Sequence, residues 1–360
     1  MVPVDGRTGP PGVSFGVALY TGQQPSARAR PHYGDAGVLA RASEDAGFDV
    51  FWVSEHHGFP DGYLPSPLVL LAALAQATRT IGLGTGVVVG PLCHPVRLAE
   101  EASVVDNLSG GRLVLGLGAG YHERELRTFG VEPSQRGGRL DETLEILRLS
   151  WEGEPFSWSG THFELADARV TPTPVRPGGI PVWLGGYAPA ALRRAARCAD
   201  GHLVGRGDPE VVRESAARLR LQLAGRTRPF TFAANVTVLL TDDGGSADAA
   251  RRGFSYQQAA YERIQAGSDV YAGRVGVTRH GDGDDLALGS IDRYVHVAGS
   301  GPAVVEALLG YLDDLRGFDH VHLALRLLFP EDDTPAQVER IALAGRAVLA
   351  PLRARLAMVP

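Results

Sequence analysis

The sequence contains no lysine, so all 35 of its basic side chains are arginine. No stripe of arginine interleaved with aromatic residues appears, which argues against nucleic acid as a partner. Only two cysteines occur, Cys93 and Cys198, in unrelated contexts. They offer neither a zinc-ligand spacing nor a disulfide framework, and this suits a reducing cytoplasm. No apolar run approaches the roughly 20 residues needed to span a bilayer, so no membrane segment is expected. Residues 1–12 are polar, rich in proline and glycine, and lack the apolar stretch of a signal peptide; they read as a loose tail. What is present is ordinary for a soluble globular protein: 360 residues, 44% hydrophobic and 21% charged, with a net charge of −6. That is enough chain for one large core, and residues 1–360 are expected to form a single cytoplasmic domain.

Short runs rich in β-branched residues alternate with longer amphipathic stretches, the pattern of βα units around a parallel sheet. Strands are expected at Val13 to Tyr20, Phe48 to Ser54, Thr80 to Val89, Arg112 to Leu117, Pro181 to Leu184, Gly201 to Val204, Phe230 to Leu240 and His320 to Leu325. Between them lie helical stretches opened by proline at Pro67, Pro95, Pro189, Pro209 and Pro302, and one from Pro335 to Leu356. Phe156 to Thr173 alternates apolar and polar residues around Ser159-Gly160 and reads as a β-hairpin excursion. From about 242 to 294 the pattern degrades into a Gly/Asp-rich irregular insertion, which in barrels often serves as an active-site lid. Eight strand–helix units with no second domain point to a (β/α)8 TIM barrel with insertions. An open doubly wound sheet is the alternative that periodicity leaves standing.

In such a barrel the functional residues gather where strands end and helices begin. Strand two ends in Glu55-His56-His57, and strand three near Thr85-Gly86-Val87, with His94 beyond. Strand four ends in Gly118-Ala119-Gly120-Tyr121-His122, strand five in Gly185-Gly186-Tyr187-Ala188, and strand six in Gly205-Arg206-Gly207. The opposite ends carry plain turns such as Ala46-Gly47 and Ser109-Gly110-Gly111. Glycine at the loaded rim lets backbone approach a flat or phosphorylated ligand. The turn at Gly185-Gly186 leads into a helix whose first N–H groups could hold a phosphate, and equally reads as a tight βα turn. Gly116 to Gly120 passes for a dinucleotide fingerprint only loosely.

Glu55-His56-His57 is the most chemically loaded triplet. In an extended strand its neighbours face opposite sides, so both histidines meet one ligand only if the strand has already ended. A histidine there could exchange a proton near neutrality; the bland reading is an imidazole satisfied by a carboxylate such as Glu55. No second cluster with ligand spacing accompanies the triplet, so no metal is expected. Arg97, Glu100 and Asp106 are read as structural, tying the third helix to the barrel, and His94 as packing or capping.

Together these runs resemble the luciferase-like monooxygenases. The likeness is carried by Thr80 through Gly82, Gly84 and Gly86, by Cys93-His94-Pro95 to Glu100, and by Asp106 to Arg112. It continues through Gly116 to His122, Gly160 to Phe163 and Val182 to Gly186, densely from Val13 to Gly201 and more loosely over Gly299 to Leu325. The resemblance implies a barrel that binds FMN or the deazaflavin F420 across the strand ends. Glu55-His56-His57 is similar to the triplet of FMNH2-dependent members, which favours FMN and carries a role beside the reactive flavin over to His56, with Glu55 next to it. A non-proline cis peptide is expected at Gly86-Val87. Cofactor contacts carry over to Thr85, Gly86, Val87, Gly118, Gly120, Tyr121, Gly185, Gly186, Tyr187 and Ala188. Where many relatives offer a serine to the phosphate this chain has Tyr187-Ala188, and where luciferase offers an arginine it has Ala119.

The activity so implied is oxidation of a small organic substrate by FMNH2 and O2 through a flavin peroxide, which needs a dry, closable cavity. No nicotinamide fingerprint is present, so a separate flavin reductase is expected to supply FMNH2. The alternatives are F420-dependent hydride transfer and a non-catalytic flavin-binding or partner subunit. The resemblance further implies a homodimer through the helices beside strands two and three. The all-arginine usage hints at a GC-rich bacterium and a setting in secondary metabolism.

Overall fold

The structure, a computed structural model, describes residues 12–19, 33–59, 61–241, 295–328 and 333–358. The expected tail over 1–12 and the insertion over 242–294 therefore lie almost wholly outside the described residues. The strands are β1 (Val13–Leu19), β2 (Val50–Val53), β3 (Gly82–Thr85), β4 (Val88–Val89), β5 (Leu113–Gly118), β6 (Phe156–Ser159), β7 (Glu164–Ala168), β8 (Val182–Gly185), β9 (Gly201–Val204), β10 (Thr231–Leu240), β11 (Val297–Gly299) and β12 (His320–Arg326). Eight of them pair in parallel in the order β1-β2-β3-β5-β8-β9-β10-β12, and β12 returns to β1. This closed ring is a (β/α)8 barrel, and the open-sheet alternative falls.

Helices α1 (Ala36–Asp45), α2 (Pro67–Ala77), α3 (Pro95–Ser109), α4 (Glu123–Thr128), α5 (Arg136–Ser150), α6 (Pro189–Cys198), α7 (Pro209–Gln222), α8 (Gly301–Asp314), α9 (Thr334–Ala344) and α10 (Ala350–Ala357) connect the strands or follow the last. α3 shows the expected punctuation, with Pro95 in its first turn and Gly110 in the left-handed conformation at its end. None of the described helices is long and apolar enough to cross a membrane.

Strand periodicity divides the core into two layers. Phe15, Phe51, Phe232 and Leu113 face the helices and pack with Leu39, Leu71, Leu74 and Leu98. Val50, Trp52, Val114, Trp183, Leu203, Ala233 and Ala324 point inward and fill the barrel. The two indoles need room. A Cβ on Gly84 would sit 2.3 Å from the Trp52 ring, and one on Gly201 would sit 2.8 Å from Trp183. Those glycines are absent side chains that the tryptophans occupy.

Four local features differ from, or add to, what the sequence suggested. The hairpin is present as antiparallel β6 and β7, and Glu142 on α5 accepts the N–H groups of Thr161, His162 and Phe163 at its turn. The final helix is not continuous: a π-helical turn at Gly345–Leu349 separates α9 from α10 where Gly345 packs on Ala46. Arg97 does not tie α3 to the barrel; it is exposed and pairs with Glu101 and Glu100 along its own helix, whereas buried Asp106 accepts the Val175 N–H at 2.8 Å. The fourth feature, α4, follows β5 directly and bears on the site.

Candidate functional site

β2 stops at Val53, so Glu55, His56 and His57 lie beyond the extended strand and the two imidazoles go to different partners. His56 Nδ1 lies 2.8 Å from Glu125 Oε1, in the first turn of α4. The same oxygen accepts the His57 backbone N–H at 2.9 Å, and His122 Nδ1 stands 3.5 Å away. His57 turns back to Glu55, with Nε2 2.5 Å from Oε1, while Glu55 Oε2 accepts the Val89 N–H at 3.0 Å. Each imidazole thus has a carboxylate, as the bland reading expected, but only His57 takes the one beside it, Glu55. His56 is held by a carboxylate 69 residues away.

An aromatic box surrounds the His56 ring. Phe59, Tyr63 and Tyr121 have centroids at 5.1, 4.9 and 5.7 Å, and the Tyr121 hydroxyl lies 3.2 Å from Nε2. The Tyr63 hydroxyl is engaged with Ser54 at 2.6 Å, and the His56 N–H donates to the Leu64 carbonyl at 3.1 Å. Burial alone would raise the Glu125 carboxyl. The nearby His122, the hydrogen bond and charge of His56, and the His57 N–H outweigh it and hold the group at about 2. For His57, burial works against the charged form, but the hydrogen bond and charge of Glu55, with the charge of Glu125, raise it above its ordinary value.

A small recess opens at the C-terminal ends of the strands, and Ser54, whose hydroxyl meets that of Tyr63, connects its lining to the aromatic box. Trp52 and Ala324 form part of its floor, and Leu19, Val53, Leu203 and Gly86 its walls; Ser54 and Asn235 are its polar residues. It is far smaller than an ordinary small-molecule pocket, so the described residues form at most one wall of a ligand site. An apolar wall of this kind with few polar atoms fits one face or edge of a flat ring.

The structure divides the other expected contacts into two groups. The Gly86-Val87 peptide is cis, and Gly86 lines the recess. Thr85 is fully buried; its hydroxyl donates to the Gly116 carbonyl and accepts the Gly116 N–H, so that side chain ties β3 to β5. Val87 lies against Gly118 and Gly185, where added Cβ atoms would come within 2.8 and 2.9 Å of it. Gly120 similarly makes way for Val89. These three glycines thus have a packing reason that the sequence did not reveal. Gly186, with φ at +128°, and Ala188, the N-cap of α6, precede a helix start that no side chain caps. The Gly186 N–H is turned to the Leu203 carbonyl at 3.4 Å and Pro189 has none, so the N–H groups of Ala188 and Ala190, with Tyr187 beside them, form the part of the rim suited to an anion. His94 occupies the N-cap of α3 without capping it, and its ring meets Phe163 edge-on at 5.8 Å.

Sequence reasoning missed Glu125, Phe59, Tyr63, Asn235 and the recess floor. Acidic residues just after His122 were a signal for the start of a helix, but nothing local connected that helix to His56. Among the described residues, no group of three or more His, Cys, Asp or Glu could hold a metal ion.

Comparison with known proteins follows the same lines. A model of the family described as luciferase-like monooxygenase matches residues 13–311. The chain is 39% identical over 145 residues to the 4-hydroxyprotoasukamycin monooxygenase of Streptomyces nodosus subsp. asukaensis, covering 40% of this chain and 39% of that one. It spans about half the length, or less, of the first curated relatives it matches. Among solved structures, the oxygenating constituent of 3,6-diketocamphane monooxygenase of Pseudomonas putida, a type II Baeyer–Villiger monooxygenase in complex with FMN, superimposes with a TM-score of 0.73. It shares 20% identity, and the match covers 94% of this chain and 98% of that one. The coenzyme F420 dependent tetrahydromethanopterin reductase of Methanopyrus kandleri superimposes with a TM-score of 0.69 at 20% identity, covering 95% of this chain and 99% of that one.

Proposed function

This chain belongs to the luciferase-like monooxygenase family, and from that premise we propose that it is a flavin-dependent monooxygenase. It uses FMNH2 from a separate reductase, and O2, to oxidise a small apolar organic molecule. The observation that carries this reading is His56: an imidazole anchored on one side by a buried carboxylate and boxed by aromatics at the strand ends, where Ser54 joins the box to an apolar recess. When bound, the reduced flavin supplies the electrons that activate dioxygen. The protein's contribution is arrangement. Trp52, Val53, Leu203 and Ala324 keep water from one ring face. Ala188 and Ala190 at the start of α6 hold the phosphate through backbone N–H groups, and no arginine assists at position 119, which is alanine. His56 Nε2, with the Tyr121 hydroxyl 3.2 Å away, is the atom at which a proton is held or moved. The protein is taken to pair as a homodimer through α2 and α3, whose outer faces expose Val69, Val104 and Leu108.

The test is an anaerobic titration with FMNH2 and, separately, with reduced F420, followed by admission of air and measurement of flavin reoxidation and hydrogen peroxide release. FMNH2 is expected to bind and to be reoxidised more slowly than in free solution. His56→Ala should bind it comparably and release peroxide about tenfold faster, in line with loss of a proton-handling group. Binding of F420 alone would move the protein to hydride transfer, and binding of neither would leave a partner subunit.

A further inference from the structure

Glu125 lies in none of the motifs at the rim, on a helix of six residues, yet one of its oxygens is met by the His56 ring and the His57 N–H from the end of β2 and approached by His122 from the end of β5. We infer that Glu125 is a positioning residue: its hydrogen bond to Nδ1 fixes the tautomer and orientation of the His56 ring, leaving Nε2 as the nitrogen offered to the rim. The inference rests on the reading of His56 given above.

Three observations carry it. First, the carboxylate of Glu125 is almost fully buried, and a buried carboxylate with this many donors is an anion. An anionic carboxylate can only accept, so the nitrogen 2.8 Å from it carries the proton. Nε2 is left for exchange with Tyr121, whose hydroxyl can donate to a bare nitrogen and accept from a protonated one. Second, the same oxygen grips the His57 N–H, while the His56 N–H is bound to the Leu64 carbonyl. Main chain and ring are therefore tied to one point, and the ring cannot rotate without losing its bond to Glu125. Third, Phe59 and Tyr63 close the sides on which a flipped ring would have to pass. Partners of this kind, standing behind a working histidine, typically change function by about tenfold to a hundredfold when removed.

The experiment reads the ring directly, in the cofactor-free protein, by heteronuclear NMR of the imidazole nitrogens, with the His56 signals assigned by their loss in His56→Gln. In its neutral form the wild-type ring is expected to carry its proton on Nδ1 and to be bare on Nε2. In Glu125→Gln, whose amide can meet the ring as donor or acceptor, both tautomers are expected. Peroxide release from the FMNH2-loaded variant should rise about tenfold, toward that of His56→Ala, while affinity for FMNH2 stays within about twofold. Glu125→Asp, which keeps the charge, should recover part of the wild-type nitrogen pattern. A wild-type ring protonated on Nε2 alone, or a Glu125→Gln protein with unchanged nitrogen signals, overturns the inference. If Glu125→Gln does not fold, the wild-type spectrum and Glu125→Asp still decide. The wild-type tautomer found in a protein that binds no FMNH2 would overturn the monooxygenase reading and leave the role of Glu125 standing.

Discussion

Two groups of histidines sit in one barrel and are treated in opposite ways. Inside it, Trp52 Nε1–H donates to His322 Nε2 at 2.9 Å, His322 Nδ1 lies 2.7 Å from Ser14 Oγ, and Ser14 Oγ lies 2.8 Å from His320 Nε2. An indole only donates, so the direction of the whole chain follows: tryptophan to His322, His322 to serine, serine to His320. Every partner is neutral, and burial, with the neighbouring His320, drives His322 down to about 3. At the mouth, His56 and His57 meet carboxylates instead, and His57 is raised. The same side chain is a fixed neutral strut in one place and a group poised to carry charge in the other. What separates them is whether an anion stands within hydrogen-bond reach.

The strongest way to break this contrast is to damage the interior alone. Trp183 stacks at 5.2 Å from Trp52 and 5.5 Å from His322, deep in the barrel and one layer beneath the recess floor. Trp183→Ala should destabilise the fold by about 3–5 kcal/mol, read from the denaturant midpoint, through lost contact and the cavity left behind. FMNH2 affinity per folded molecule should stay near wild type. A variant that kept its midpoint but lost FMNH2 would show that the interior serves the mouth directly.

A smaller effect sharpens the contrast through pH. His322 has a folded pKa of about 3 against an unfolded value near 6.5. Over that window the unfolded chain binds a proton that the native state refuses. The contribution to stability is thus complete above about 6.5 and declines as pH falls toward 3. It is of the order of a few kcal/mol for so buried a group. His322→Gln, whose amide oxygen can still accept from Trp52, should flatten that acid limb. Part of the slope will remain, because burial also lowers His202 and His296, each to about 4. An acid limb identical in the two proteins would remove His322 from the account.

The barrel was readable in advance because its signals are local: β-branched runs, prolines opening helices, glycines closing them. The rim was readable for the same reason, since each strand end is contiguous with its strand. What could not be read depends on distant chain. Glu125 belongs to His56 only because β5 and β2 flank β3 in the ring, which brings together residues 69 apart. Gly118 and Gly185 read as ligand approach, yet it is Val87, thrown inward after the Gly86-Val87 peptide, that fills the space above them. A glycine in sequence announces that something comes close without saying what.

The smallest effect tests the mouth's side of the comparison. If a carboxylate within reach is what raises His57, then Glu55→Gln should lower it, because the charge and the strongest acceptor are lost together while the amide oxygen can still take the Val89 N–H. The sign is opposite to that of His322. A raised folded pKa stabilises the native state fully below about 6.5, and that share disappears as pH rises through the raised value. His57 keeps some contact with solvent, and burial opposes its charged form, so the share is limited to about 1 kcal/mol or less. Urea midpoints at mildly acidic and mildly alkaline pH, compared between wild type and Glu55→Gln, isolate it: the variant should lose stability at the acidic pH and little at the alkaline one. In the variant burial, which outweighs the remaining charge of Glu125, should carry His57 below its ordinary value. Were the single variant destabilised equally at both values, Glu55 would be acting as a packing and hydrogen-bonding group.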